Sequence, residues 1–295
     1  MRIIVLGTAA GGGLPQWNCG CKNCMDAREG RIATATQSSI AVSGDGQSWI
    51  VFNASPDIRQ QLTATPALYP RALRDTPIAA VLLTNGDVDH VAGLLTLREK
   101  SAFDLYATAE IHAALDANPI FGVADPALVK RRTIALGDRL ELPGSLTTDI
   151  FAVPGKVPLY QEEGEVETEA MGETTIGVRL TDGEKVAYYI PGCAAVPDDL
   201  IARLQDGDLL LFDGTVWEND EMPRLGAGPK TGKRMGHVPM KGAGGSMERL
   251  SALPGRRVFI HVNNTNPVLQ PDGPERAAVY AAGWELAADG LEFML

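Results

Sequence analysis

Short apolar runs alternate along this chain with stretches whose apolar positions recur every three or four residues. The runs IIVLG, SSIAVS, WIVFN, IAAVLLT, FDLYAT, DIFAVP, TIGVRLT, KVAYYI, DLLLFD, RVFIHV and LEFML are rich in β-branched and aromatic residues and bounded by Gly, Pro, Asp or Asn. That pattern predicts strands. Between them, ASPDIRQQLTA, HVAGLLTLREK, AEIHAALDAN, PDDLIARLQD, GGSMERLSAL and GPERAAVYAAG carry helical spacing, with Asp, Ser or Pro near their starts. Eleven strands and six helices predict an α/β protein with two mixed sheets sandwiched between helices, because each sheet must bury both faces.

Two segments break the rhythm. The acidic stretch YQEEGEVETEAMGE, residues 160–173, reads as a solvated surface insertion. The Gly- and Pro-rich run 221–236 reads as a long loop, of the kind that forms lids or binding loops. No internal repeat is visible, so residues 1–295 are expected to form a single domain.

Composition narrows the function. With 295 residues, 45% of them apolar, the chain has ample material for a core. No window approaches about 18 uninterrupted apolar residues, and Met1-Arg2 runs straight into a strand-like segment rather than a signal sequence. A cytoplasmic enzyme with no membrane partner is expected. The net charge of -11 would repel a phosphate backbone, which excludes nucleic acid as a partner.

Cysteine usage points to metal. Three of the four cysteines crowd into WNCGCKNC as Cys19, Cys21 and Cys24, and thiolates at i, i+2 and i+5 in a Gly/Asn-rich turn can converge on one tetrahedral zinc. A fourth ligand is open: Cys193, a distant histidine, Asp26, an amide or water would each serve. Among four histidines, His112 lies on an expected amphipathic helix and reads as structural or solvent-facing. His90 follows Asp89 in TNGDVDH, directly after a strand; His261 sits in RVFIHVNNTNP, where a strand runs into a polar turn; His237 lies in the loop MGHVPM. Side chains at such strand ends project into an open crevice. Asp213, closing DLLLFD, is placed either to orient a ligand histidine from behind or simply to end its strand. Gly11-Gly12-Gly13 lacks the Lys-Ser/Thr of a phosphate loop and reads as a structural turn. Ser55 and Pro56 read as the cap and first turn of a helix.

Seven segments in this order, VLGTAAGGGLPQWNCGCKNC, NASPDIRQQL, TNGDVDHVAGLLTLRE, YYIPGCAAVPDDL, LLFDGTVWENDEM, MGHVPM and FIHVNNTNPVL, resemble the pyrroloquinoline quinone (PQQ) biosynthesis protein B family, a branch of the metallo-β-lactamase superfamily. The resemblance spans essentially the whole chain and implies the αββα sandwich. In two-metal members of that superfamily, an H-x-H-x-D-H loop supplies ligands to both ions. Here Asn85 and Asp87 hold the places of the first two histidines, Lys156 that of a third, and Cys193 that of the bridging aspartate. The resemblance therefore implies that the first metal site is lost, and that Asp89, His90 and His261 survive as the ligands of one ion.

Two histidines and one carboxylate leave coordination positions open, the pattern of non-haem Fe(II) oxygenases; a mononuclear hydrolytic zinc or manganese with the same ligands is also chemically possible. The family's pathway implies an O2-dependent hydroxylation of the tyrosine ring in a precursor made by cross-linking Glu and Tyr of a peptide, with other PQQ biosynthesis proteins as potential partners. His237 is then placed to move a proton, as a histidine in this loop does in related hydrolases. A phosphodiesterase-like hydrolase and a non-catalytic carrier for transport of the quinone or its precursor to the periplasm stay open beside that reading. In the phosphodiesterase branch a histidine completes the cysteine site at the place that Asn264 holds here.

Overall fold

A computed structural model describes all residues, 1–295. Fourteen strands form two seven-stranded sheets. The first contains β1 (Arg2–Gly7), β2 (Ser39–Ser43), β3 (Trp49–Phe52), β4 (Ile78–Leu82), β5 (Phe103–Thr108), β6 (Val129–Ile134) and β14 (Glu292–Met294), in the order β14-β1-β2-β3-β4-β5-β6. The second contains β7 (Arg139–Leu142), β8 (Leu146–Ala152), β9 (Ile176–Thr181), β10 (Val186–Ile190), β11 (Leu209–Asp213), β12 (Arg256–Ile260) and β13 (Trp284–Leu286), in the order β13-β12-β11-β10-β9-β8-β7. Both sheets are mixed: β3 to β6 and β10 to β13 run parallel, and the remaining pairs antiparallel.

The continuous apolar character of the runs follows from two-sided burial. On β1, Ile3 and Val5 face the other sheet while Ile4 and Leu6 face the outer helices, and all four are buried. The layer between the sheets packs Ile40, Phe52 and Leu82 against Ile150, Val178 and Leu211. Helices α1 (Lys22–Arg28), α2 (Ile58–Ala64), α3 (Val88–Val91), α4 (Ala109–Asp116), α5 (Asp198–Arg203), α6 (Glu221–Arg224), α7 (Gly232–Met235), α8 (Ser246–Arg249) and α9 (Pro274–Ala281) lie outside the strands in chain order. The outer apolar layers pack Ile58, Ile111 and Leu115 against the first sheet and Leu200, Leu250 and Val279 against the second. No helix is long and apolar enough to cross a membrane.

Three strands escaped the hydrophobic pattern, β6, β7 and β13, and all three are sheet edges. β6 reads VKRRTI with its four central residues exposed, as an edge strand guarded against further pairing by charge. The first turn of α2 also differs from expectation. Ser55 Oγ accepts the Asp57 N–H at 3.2 Å, and regular helix starts only at Ile58. The run 221–236 is not one loop, since α6 and α7 break it. Residues 160–173 are mostly exposed as expected, held at their base by a bridge between Gly155 and Ala170.

Leu211 is fully buried in the inter-sheet layer. Leu211→Ala should therefore destabilise the protein by about 2–5 kcal/mol, read as a fall in the urea midpoint; a loss below about 1 kcal/mol would contradict tight packing of the sheets there.

Candidate metal centre

The carboxyl ends of β4, β11 and β12 open on one edge of the sandwich, where parallel strands leave a crevice. Asp89 and His90 lie on α3, one short loop after β4. His261 follows β12 with φ +60°, a left-handed conformation costing on the order of 1–2 kcal/mol for a residue with a side chain. Asn53, at the end of β3, is left-handed too, with φ 62°. Such strain gathers where function fixes the backbone.

Ligand atoms of Asp89, His90 and His261 all lie within 4.8 Å of one another. Asp89 Oδ2 stands 3.1 Å from His261 Nε2 and 3.9 Å from His90 Nε2. The protonation of His90 can be deduced from its neighbours. Asn85 Oδ1 accepts the Asp87 N–H at 3.0 Å, which identifies that atom as an acceptor, and His90 Nδ1 approaches it at 2.7 Å. His90 therefore donates from Nδ1 and keeps its lone pair on Nε2. That nitrogen is buried with no hydrogen-bond partner. An orphaned, unprotonated imidazole nitrogen aimed at a carboxylate and a second imidazole fits a metal ligand set.

Electrostatics agree. Burial, ahead of all other causes, pushes His90 down to about 4 despite the Asp89 charge, so it is neutral near pH 7. Burial also acts to raise Asp89, yet its carboxyl is held below the usual carboxylate range, with the hydrogen bond from His261 among the causes. Asp87 goes the other way, raised by burial and by the Asp89 charge. The glycine turn runs beside the site: a Cβ on Gly11 would make ordinary contact with the Asp89 carboxyl at 3.5 Å.

Behind His261 lies a hydrogen-bonded relay that the sequence did not reveal. Thr215 Oγ1 is 2.8 Å from His261 Nδ1, 3.1 Å from His237 Nδ1 and 2.6 Å from Asp213 Oδ1. Asp213 Oδ2 meets His237 Nδ1 at 2.7 Å. Asp213 thus orients His237 directly and reaches His261 only through Thr215. The one sequence signal for Thr215 is its place two residues after a strand-ending Asp. Asp213, His237 and His261 also have potential ligand atoms within 4.8 Å. In that second group, however, Asp213, Thr215 and the Nδ1 atoms satisfy one another, whereas the first group contains an orphan.

The places of a second ion are filled otherwise. Asn85 is spent on His90, and Lys156 Nζ pairs with Glu162 Oε1 at 3.1 Å. Cys193 is fully buried, its Sγ donating to Ala195 O at 2.9 Å, and burial raises its pKa far above the usual thiol range. It neither bridges the crevice nor approaches the cysteine loop. His112, as expected, stays outside the crevice, buried on α4 with Nε2 donating to Arg132 O at 3.3 Å.

Cys19, Cys21 and Cys24 bring their sulfurs together at the start of α1, a helix the sequence reading took for a turn. The Gln16 and Cys21 N–H groups point at Cys24 Sγ and Cys19 Sγ, both at 3.4 Å. Burial pushes the Cys21 thiol up to about 11, so a shared cation would be needed for the three to ionise together. Asn264 projects its side-chain amide to 3.2, 3.6 and 3.3 Å from the three sulfurs. Asp26 is taken up by Lys22, Arg31 and Gln270. Of the side chains open as a fourth ligand, Asn264 alone faces the three sulfurs, and it does so through its donor Nδ2.

Residues 48–262 match the family model described as beta-lactamase superfamily domain. Coenzyme PQQ synthesis protein B of Ruegeria pomeroyi is 56% identical over 295 residues, covering 100% of both chains. The crystal structure of Zn(2+)-bound PqqB from Methylobacterium extorquens superposes with a TM-score of 0.98 at 55% identity, covering 100% of each chain. A diphosphatase of the PhnP family shares the fold alone, with a TM-score of 0.71 at 20% identity over 100% of this chain and 97% of that one. The similarity to the first two runs from end to end of both chains, so the chain belongs to the coenzyme PQQ synthesis protein B family of the beta-lactamase superfamily.

Proposed function

We propose that this chain acts in PQQ biosynthesis as a mononuclear non-haem iron enzyme that hydroxylates the tyrosine ring of a Glu-Tyr cross-linked, peptide-derived precursor, using O2 in the cytoplasm. One observation carries the reading: the crevice offers a single open set of two histidines and a carboxylate, with the first-metal positions turned to other uses. The family's pathway supplies the substrate class. Zinc in the Methylobacterium relative supports metal binding in this chain and leaves the working metal to experiment.

Asp89, His90 and His261 would hold the ion. Ferrous iron there would supply the redox chemistry by which dioxygen is activated, with two electrons from an external reductant so that one oxygen atom enters the ring and the other leaves as water. Asn85 keeps the His90 lone pair facing inward, and Thr215 fixes the His261 ring. His237, backed by Asp213, carries a proton to or from the phenol and the crevice water. At the cysteine loop, Cys19, Cys21 and Cys24 would hold a structural zinc, with the Asn264 Nδ2 group donating to their sulfurs.

Asp89→Ala and His261→Ala should lose iron and hydroxylation together, whereas His237→Ala should keep iron and slow by roughly 10²–10⁴-fold. Transfer of label from ¹⁸O₂ into a tyrosine-derived product is the deciding measurement; label arriving only from water, or equal turnover with zinc and no dioxygen, would return the chain to hydrolysis. Asn85→Ala frees the His90 ring and should weaken metal affinity about 10–100-fold in a chelator titration, and an unchanged affinity would remove Asn85 from the site. Cys21→Ser should lower bound zinc and thermal stability, and a variant with full zinc and unchanged melting would exclude the structural site.

A further inference from the structure

Glu162 stands apart from the acidic stretch that contains it. Glu163, Glu165, Glu167 and Glu169 are exposed, yet the Glu162 side chain is only 10% accessible, as is that of Lys156. Its Oε1 accepts from Lys156 Nζ at 3.1 Å and from Arg234 at 3.2 Å; its Oε2 accepts from Arg234 at 2.8 Å and Lys230 Nζ at 3.3 Å. Three cations from two stretches of chain, Lys156 from one and Lys230 and Arg234 from the other, thus converge on one carboxylate, in a protein whose net charge is -11. Arg234 first, and then Lys156 and Lys230 against the opposing effect of burial, hold that carboxyl down to about 2. One carboxylate is fewer than three cations need, and a cradle with a positive surplus and an Arg fork suits a carboxylate ligand.

The cluster lies on the wall of the metal crevice. Tyr160, two residues before Glu162, donates to Gly86 O at 2.8 Å, inside the TNGDVDH loop. The Lys156 side chain runs 3.2 Å from where a Cβ on Gly236 would be, one residue before His237. Glu162 itself belongs to a largely exposed segment attached through Tyr160 and the Gly155–Ala170 bridge.

We propose that Lys156, Lys230 and Arg234 form a carboxylate-binding subsite at the rim of the metal crevice, and that Glu162 occupies it until a carboxylate of an acidic substrate takes its place. The inference deepens the function proposed above, since a Glu-Tyr-derived precursor carries carboxylates, but its test requires no turnover. The ligand class is a small organic di- or tricarboxylate, one of whose carboxylates meets the Arg234 fork.

Glutarate serves as the probe, titrated calorimetrically into the metal-loaded protein at fixed ionic strength, so that any contact with the metal is common to all variants. Glu162→Ala should bind glutarate at least about tenfold more tightly than the unsubstituted protein. Adding Arg234→Met to Glu162→Ala should abolish that gain. Glutarate should also raise the melting temperature of Glu162→Ala well beyond the effect of sodium chloride at matched ionic strength. Should Glu162→Ala fold poorly, Glu162→Gln keeps the shape and removes the competing charge, and the same comparison applies. Equal glutarate affinity with and without the Glu162 carboxylate, or a gain that survives loss of Arg234, would overturn the subsite and leave the cluster as a strap between two loops. Failure of the ¹⁸O₂ experiment with glutarate binding intact would instead reject hydroxylation and keep the subsite.

Discussion

The 2.7 Å hydrogen bond between His90 Nδ1 and Asn85 Oδ1 is the contact on which the chemistry of this crevice depends. Because the same oxygen accepts the Asp87 N–H, the imidazole has only one way to satisfy it. The proton goes to Nδ1, and Nε2 faces the crevice as a bare lone pair. A buried, unpartnered nitrogen costs on the order of 1–3 kcal/mol. Such a cost persists when a ligand recovers it, and Asp89 and His261 stand ready around the same point. Asn85, at the place where two-metal relatives carry a histidine, orients the ring of a proposed ligand instead.

The other half of the site rests on Thr215. One hydroxyl links His261, His237 and Asp213, so the ring that would hold metal and the ring that would move protons share a single support. Asp213 is fully buried and ionised, since the charge and hydrogen bond of His237, with His261 behind it, overcome the burial that would raise it. An ionised carboxylate behind His237 favours an imidazole that can take up a proton and release it again. The two rings stack with centroids 5.2 Å apart, close enough for a change at one to be felt by the other.

Most of the fold was legible because the central strands are buried on both faces, which leaves unbroken apolar runs such as VAYYI and LLLFD. What the pattern missed were edges: RLEL and WEL present too little apolar surface to stand out, and VKRRTI turns its charges to solvent. The proposed ligands were named from their positions at strand ends and their likeness to a family motif, and the structure brings their ligand atoms within 4.8 Å of one another. Thr215 was not legible as an orienting group, because a hydrogen bond between residues 46 apart, as from Thr215 to His261, leaves no trace in local spacing; Asn85, only five residues from His90, reads in the sequence as a missing ligand rather than as an orienting group. Glu162 was hidden for a different reason. Its neighbours make the segment read as solvated, and only the fold brings Lys156, Lys230 and Arg234 to it.

Whether one ion or two suits this crevice turns on which polar atoms are already satisfied. The group of Asp213, His237 and His261 has ligand-like spacing, but an ion placed there would break the 2.7 Å bond from His237 to Asp213 and the 2.6 Å bond from Thr215. It would have to repay both. At Asp89, His90 and His261 the exchange is smaller: one 3.1 Å contact between Asp89 and His261 opens, and the His90 Nε2 lone pair gains its first partner. On the wall beyond, where a second ion would otherwise sit, Lys156 brings a positive charge tied to Glu162. A second cation would meet that charge, while an anionic substrate would be drawn to it. On the proposed reading, then, the crevice suits one metal with an acidic molecule beside it, and Asn85 and Lys156, which stand where a second ion would find ligands, set that asymmetry.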